Sequence, residues 1–201
     1  MRDLVISLLL LLSAAMNVTA QETPVFIETG SFSLIFTDWK LDQNYSKIEQ
    51  HADSVFVYPE LGETPEGLAF KLTSPSSIIK ITQHYRTSLS ISDEGPHLDL
   101  LDWRHHTSKT TALNDSKGYF RLIGYSPAER ELFPSYTEKE LTDYLKTNFP
   151  EWAKLLYENN KFTKNALSHS ISEIYLTIFY TNDHSPEIQK KVIVFQLPLG
   201  C

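Results

Sequence analysis

An α+β domain built mainly on antiparallel β-sheet is the fold class this 201-residue sequence predicts, with two consecutive helices near residues 137–160 and a C-terminal β-hairpin. Three observations lead there. Apolar and polar residues alternate in several short runs before residue 125, the period of a strand with one buried face. Between Thr137 and Asn160 the period becomes that of a helix, and after residue 170 it returns to two. Strands, then helices, then strands argue for segregated elements and against βαβ units.

The chain begins with an address. Arg2, partly offset by Asp3, precedes a twelve-residue apolar run from Leu4 to Ala15, and Val18-Thr19-Ala20 supplies small residues before Gln21. This is the layout of a secretory signal peptide over residues 1–20. A spanning helix needs about 20 apolar residues, so the run is short for an anchor. No cysteine follows it to carry a lipid, and no later stretch approaches spanning length. The expectation is a single α+β domain over residues 21–201, secreted or periplasmic, with no transmembrane segment after signal cleavage.

Within that domain, Phe32, Leu34 and Phe36 alternate with Ser31, Ser33 and Thr37 inside a β-branched and aromatic run, Val25–Trp39. Val55–Tyr58 reads as a short buried strand, and the Gly62…Pro65…Gly67 stretch as a turn. Leu68, Phe70 and Leu72 mark a further strand. The longest alternation runs from Ser77 to Ser92. It places Ile79, Ile81, Gln83, Tyr85, Thr87, Leu89 and Ile91 toward a core, and Lys80, Thr82, His84, Arg86, Ser88 and Ser90 toward water. Lys80, His84 and Arg86 read either as an anion-binding stripe or as charges protecting an edge strand. Tyr119–Tyr125 reads as another strand, closed by Ser126-Pro127.

Thr137 and Glu140 have the spacing of a capping box. Leu141, Tyr144, Leu145 and Phe149 then fall on one helical face. Pro150 suits the first turn of a second helix, whose stripe is Trp152, Leu155 and Leu156. Ile171–Thr181 and Lys190–Leu197 form the expected hairpin around Asn182–Pro186.

Composition excludes several classes. With 18 basic and 25 acidic residues the net charge is −7, and a nucleic-acid binder would be basic. The excess acid lies in residues 21–70, which hold nine carboxylates against Lys40 and Lys47. One cysteine rules out an internal disulfide framework; Cys201, terminal and poorly held for a nucleophile, reads as an inert thiol or as one half of an intermolecular disulfide. Neither G-x-G-x-x-G nor G-x-x-x-x-G-K-[ST] occurs, which removes the usual nucleotide sites. Gly124-Tyr125-Ser126-Pro127-Ala128 departs from the nucleophile elbow in its last residue and puts Pro after the Ser. Asn44-Tyr45-Ser46 and Asn114-Asp115-Ser116 match the glycosylation acceptor pattern, which matters only in a eukaryotic secretory route.

The densest polar constellation is His97–His106. Asp102, Trp103, Arg104 and His105 form a candidate ligand-binding loop following a long strand, where binding residues tend to sit. Alternatively His97, Asp99, His105 and His106 could present imidazole and carboxylate to a divalent metal, the centre of a metal-dependent hydrolase. A plain surface turn, with Trp103 packed on Leu98, Leu100 and Leu101, accounts for the same residues. No catalytic motif survives inspection, so the leading expectation is a non-enzymatic binding protein without a cofactor. Its partner would be a protein or a carbohydrate, with no role for nucleic acid.

Overall fold

The computed structural model describes residues 24–40, 46–74, 77–92, 97–158, 167–182 and 185–198. The expected signal segment, Asn44 and Cys201 lie outside the described residues. In chain order the first strands are β1 (Val25–Glu28), β2 (Ser33–Phe36), β3 (Lys47–Gln50), β4 (Ser54–Tyr58), β5 (Ala69–Thr73) and β6 (Ser77–Ser92). There follow β7 (His97–Leu100), β8 (Thr111–Ala112), β9 (Tyr119–Arg121), and the helices α1 (Pro127–Arg130), α2 (Glu138–Asn148) and α3 (Pro150–Glu158). The hairpin β10 (Leu167–Asn182) and β11 (Ser185–Gln196) completes the order.

Two sheets result. One is antiparallel in the order β1-β2-β5-β9. The other runs β3-β4-β11-β10-β6-β7, with β8 also paired to β6. The alternation seen in sequence sets their inner faces: Val25, Ile27, Leu34, Phe36 and Phe70 from the first meet Val55, Val57, Ile81, Ile174, Leu176, Ile178 and Phe195 from the second in one core. Aromatic rings interlock across the gap, Phe36 with Phe195 at 5.9 Å, Trp39 with Phe195 at 5.8 Å and Phe32 with Tyr180 at 5.5 Å.

Strands β6 and β10 have sixteen residues each, roughly 50 Å of extended chain, and outrun this sandwich. Beyond it, Leu89 and Ile91 of β6 and Leu100 of β7 meet Leu141 and Leu145 of α2 and Ala153 of α3 in a second core. The helices therefore cover the far end of the face that the first sheet covers at the near end. Thr137 caps α2 in the expected box with Glu140, and the buried Leu141 and Leu145 lie on the predicted face.

Three departures from the sequence reading shape the sheets. First, the larger sheet is mixed, because Ser54–Val57 of β4 pairs parallel with Val192–Phe195 of β11. A parallel pair needs a long crossover, so no turn signal announces it. Second, β6 is a central strand, flanked by β10 on one side and by β8, Thr107 and β7 on the other, so His84 and Arg86 lie inside the sheet and only Lys80 stands beyond the reach of β8, paired with Phe179 of β10. Thr82, Ser88 and Ser90, expected in water, are buried. Phe179 pairs with Lys80 but Tyr180 with Ile78, so Ile79 is an extra residue in β6. The bulge turns Ile79 outward, where it is 51% exposed, and lets Ile78 pack on the core instead. Third, the expected strand Tyr119–Tyr125 ends at Arg121, and Ser126 caps a short helix in a box with Glu129. The signal for it, Ser126-Pro127-x-Glu129, was present in the sequence.

A second bulge lies in β10, where Ile171 pairs with Thr87 and Glu173 with Arg86. The extra residue, Ser172, reverses the parity, so that Ile171 and Ile174 both reach the core. The same step turns Glu173 and Tyr175 to the outer face, level with Arg86 and His84.

Candidate functional site

Residues 101–107 leave β7 and return across β6. Four hydrogen bonds stitch the returning segment to that strand. Thr87 N–H donates to the His106 carbonyl at 2.9 Å, and His106 N–H donates to Thr87 Oγ1 at 3.0 Å. Ser108 N–H donates to the Tyr85 carbonyl at 2.9 Å, and Tyr85 N–H to Ser108 Oγ at 2.9 Å. The loop is thus mounted on the central strand of the sheet, which was not evident from sequence because β6 and residues 106–108 are about twenty positions apart.

Trp103 is half-buried and stacks on Tyr144 of α2, ring centroids 5.0 Å apart, with Tyr136 at 5.7 Å. Arg104 follows at φ +48°, the left-handed region that a non-glycine residue enters at a cost of about 1–2 kcal/mol. Its guanidinium holds it there. Nη1 donates to the Ser135 carbonyl at 2.8 Å and to Glu140 Oε2 at 3.3 Å, while Nη2 donates to Glu140 Oε1 at 2.5 Å. The same carboxylate closes the α2 capping box, accepting from Thr137 N–H at 2.8 Å and from its hydroxyl at 2.9 Å. One acidic side chain therefore fastens both the helix start and the loop.

Arg104 first, and Thr137 second, hold the Glu140 carboxyl down at about 2, against an ordinary 4.5. The group's stabilisation is complete above pH 4.5 and is lost as pH falls toward 2, because the unfolded carboxylate takes up its proton first. The pair is exposed to solvent, so salt weakens it.

Asp102 and His105 lie together on the outer side, joined by a residue the sequence reading had assigned elsewhere. Arg86 Nη2 donates to Asp102 Oδ1 at 2.9 Å and to His105 Nδ1 at 3.2 Å, and Nη1 lies 3.6 Å from Glu173 Oε2. Tyr175 donates to Glu173 Oε2 at 2.8 Å, and burial pushes its phenol up to about 12. His84 stacks flat on Tyr175 at 4.6 Å, and burial holds its imidazole below 6.5 against the pull of Glu173. Asp102, with 88% of its side chain exposed, is the outermost member of this network.

Three residues of the metal reading, Asp99, His105 and His106, stand in different surroundings, and His97 is placed by its backbone register alone. His97 and Asp99 stand in β7, opposite Ser92 and Ser90 of β6. His105 faces the Arg86 cation. His106 turns to the other side, beside Tyr85 at 6.2 Å and Phe133 at 5.9 Å. Among the described residues no group of three or more His, Cys, Asp or Glu side chains converges as a metal set would.

Sequence reasoning missed His169. It sits on the core-facing side of β10 opposite Leu89, with Phe133 at 6.3 Å and Tyr136 at 5.8 Å, directly beneath the loop. Period-two alternation marked that stretch only as strand and did not distinguish its imidazole. At the other end of the loop, Tyr85 donates to Glu129 Oε1 at 3.2 Å. A polar recess of about 30 Å³ opens between Tyr85, Ser108 and Glu129, room for a water or two. Among the described residues no helix is long and apolar enough to cross a membrane. Comparison with protein-family models, curated proteins and solved structures finds no match for this chain.

Proposed function

We propose that this chain is an exported, non-enzymatic binding protein whose partner seats on the loop Asp102–His105. The observation that carries the reading is the pinned geometry of that loop. Arg104 is held in a left-handed conformation by two-pronged contact with Glu140 and by Ser135, and Trp103 rests on two tyrosines. Strain of this kind persists only where its surroundings enforce it, and it concentrates at ligand-contacting segments. A preorganised loop also loses less entropy on binding. Arg104 is a positioning residue here, since its donors are engaged within the protein. Asp102, His105 and the half-buried Trp103 are the groups that would meet a partner. The apolar run Leu4–Ala15 supports export.

Capture from the native envelope or culture fluid tests the proposal. Protein starting at Gln21 should enrich a partner over a charge-matched control, and an Asp102→Ala, His105→Ala double variant should lose about tenfold in affinity, roughly 1.4 kcal/mol. No enrichment, or equal enrichment by the double variant, contradicts the assignment.

A further inference from the structure

His169 occupies a place that ties it to both ends of the loop. Its ring packs against Tyr136 at 5.8 Å, and Tyr136 in turn supports Trp103 at 5.7 Å. It also packs against Phe133 at 6.3 Å, and Phe133 in turn supports His106 at 5.9 Å. Its Nε2 is sealed from solvent and has no hydrogen-bond partner among the described residues. A neutral imidazole tolerates such a site. An imidazolium carries a second N–H donor and a charge, and among the described residues it would have neither acceptor nor counter-charge there.

We infer that His169 is an acid sensor for the binding loop: proton uptake expels its ring from between Phe133 and Tyr136 and loosens Trp103 and His106 together. The inference rests on the reading of that loop as a binding site. Acid would then release the partner, which binds only the ordered form.

Among the described residues, the groups packed around His169 are mainly aromatic and apolar. The loop 131–136 contributes the Tyr136 phenol, itself pushed up by burial, and Phe133. The strand β6 contributes Leu89 opposite, between Ser88 and Ser90. The loop 101–107 contributes His106, behind Phe133. On α2, the Glu140 carboxylate is engaged by Arg104 and Thr137. Aromatic faces attract a cation, but burial is what acts on this imidazole, and it lowers its proton affinity below the ordinary 6.5. The sign follows. Above pH 6.5 the closed loop carries no penalty. As pH falls below it, the opened form binds the proton first and the closed form loses ground.

Nuclear magnetic resonance on the protein from Gln21 onward tests this without any partner. The His169 imidazole, the Trp103 indole N–H and the His106 amide are followed from about pH 8 to about pH 5. The expected result is one shared transition with its midpoint below 6.5, absent in His169→Phe and retained in His84→Asn. A His169 midpoint at or above 6.5, or a Trp103 transition that persists in His169→Phe, overturns the proposal. If His169→Phe does not fold, the wild-type midpoints decide: separate midpoints for His169 and Trp103 refute the sensor. Failure of capture at every pH removes the binding reading and leaves this transition to stand or fall on its own.

Discussion

Replacing Phe36 by alanine is expected to lower the stability of the fold by about 3–5 kcal/mol, the usual range for removing a buried phenylalanine. Phe36 has no exposed surface, and its ring touches Trp39 at 5.2 Å, Phe70 at 5.4 Å and Phe195 at 5.9 Å. Phe70 lies beside it in the same sheet, and Phe195 belongs to the other. The lost ring therefore leaves a gap between two sheets whose backbones are fixed by their own ladders and cannot close on it. A domain of this size has about 5–15 kcal/mol in all, so the variant should be marginal at 25 °C. Chemical denaturation reads the effect as a lower midpoint at an unchanged slope. A loss below about 1 kcal/mol would mean that the sheets do not share this core.

Leu141→Ala is expected to cost about 2–5 kcal/mol, but in a different place. Leu141 is fully buried between α2 and the far end of β6 and β7, among Leu89, Ile91, Leu100 and Leu145. The sandwich core holds none of these residues. The damage should thus concentrate in the helical layer, which can open while the sandwich stays closed. Amide exchange should accelerate in α2 and α3 and stay slow in β2, β5 and the Ile174–Ile178 part of β10. Uniform acceleration across both regions would show the two cores to be one cooperative unit.

The first helix of the pair was the most legible part of the chain, because the box at Thr137 and Glu140 and the stripe through Leu141 and Leu145 are local signals. In the second, Ala153 and not Trp152 enters the core, and the side chains of Leu155 and Leu156 lie outside the described residues. The inner faces of β2 and β5, at Leu34, Phe36 and Phe70, were legible from local signals too. What escaped was everything settled by distant pairing. Nothing near Val55 specifies a parallel partner at Val192–Phe195, and nothing near Ile79 specifies that β10 will skip it. The bulge at Ser172 reverses which residues of β10 face inward, and no alternation rule foresees it.

The candidate loop was found as a composition anomaly, and its residues do cluster, though in two groups. Trp103 and Arg104 join α2, while Asp102 and His105 join Arg86. Arg86 and His169 were missed as members because each reaches the loop from a neighbouring strand, across 16 residues for Asp102 and Arg86. Charge and alternation could place Arg86 on the outer face but could not say what lay beside it. The acidic excess of residues 21–70 has no counterpart at this site, whose fixed charges, Arg86, Asp102, Arg104, Glu140 and Glu173, all come from later in the chain.

The central claim is that the loop from Asp102 to His106 is held ready in the free protein by Arg104. Titration of the Glu140 carboxyl in wild type and Arg104→Ala, with His106 amide exchange read on the same samples, tests it most directly. The predicted result is a wild-type midpoint near 2 that rises toward 4.5 in the variant, stopping short because Thr137 still donates, together with faster exchange at His106. An unchanged midpoint with unchanged exchange would contradict the claim, and with it the case for a preorganised binding loop.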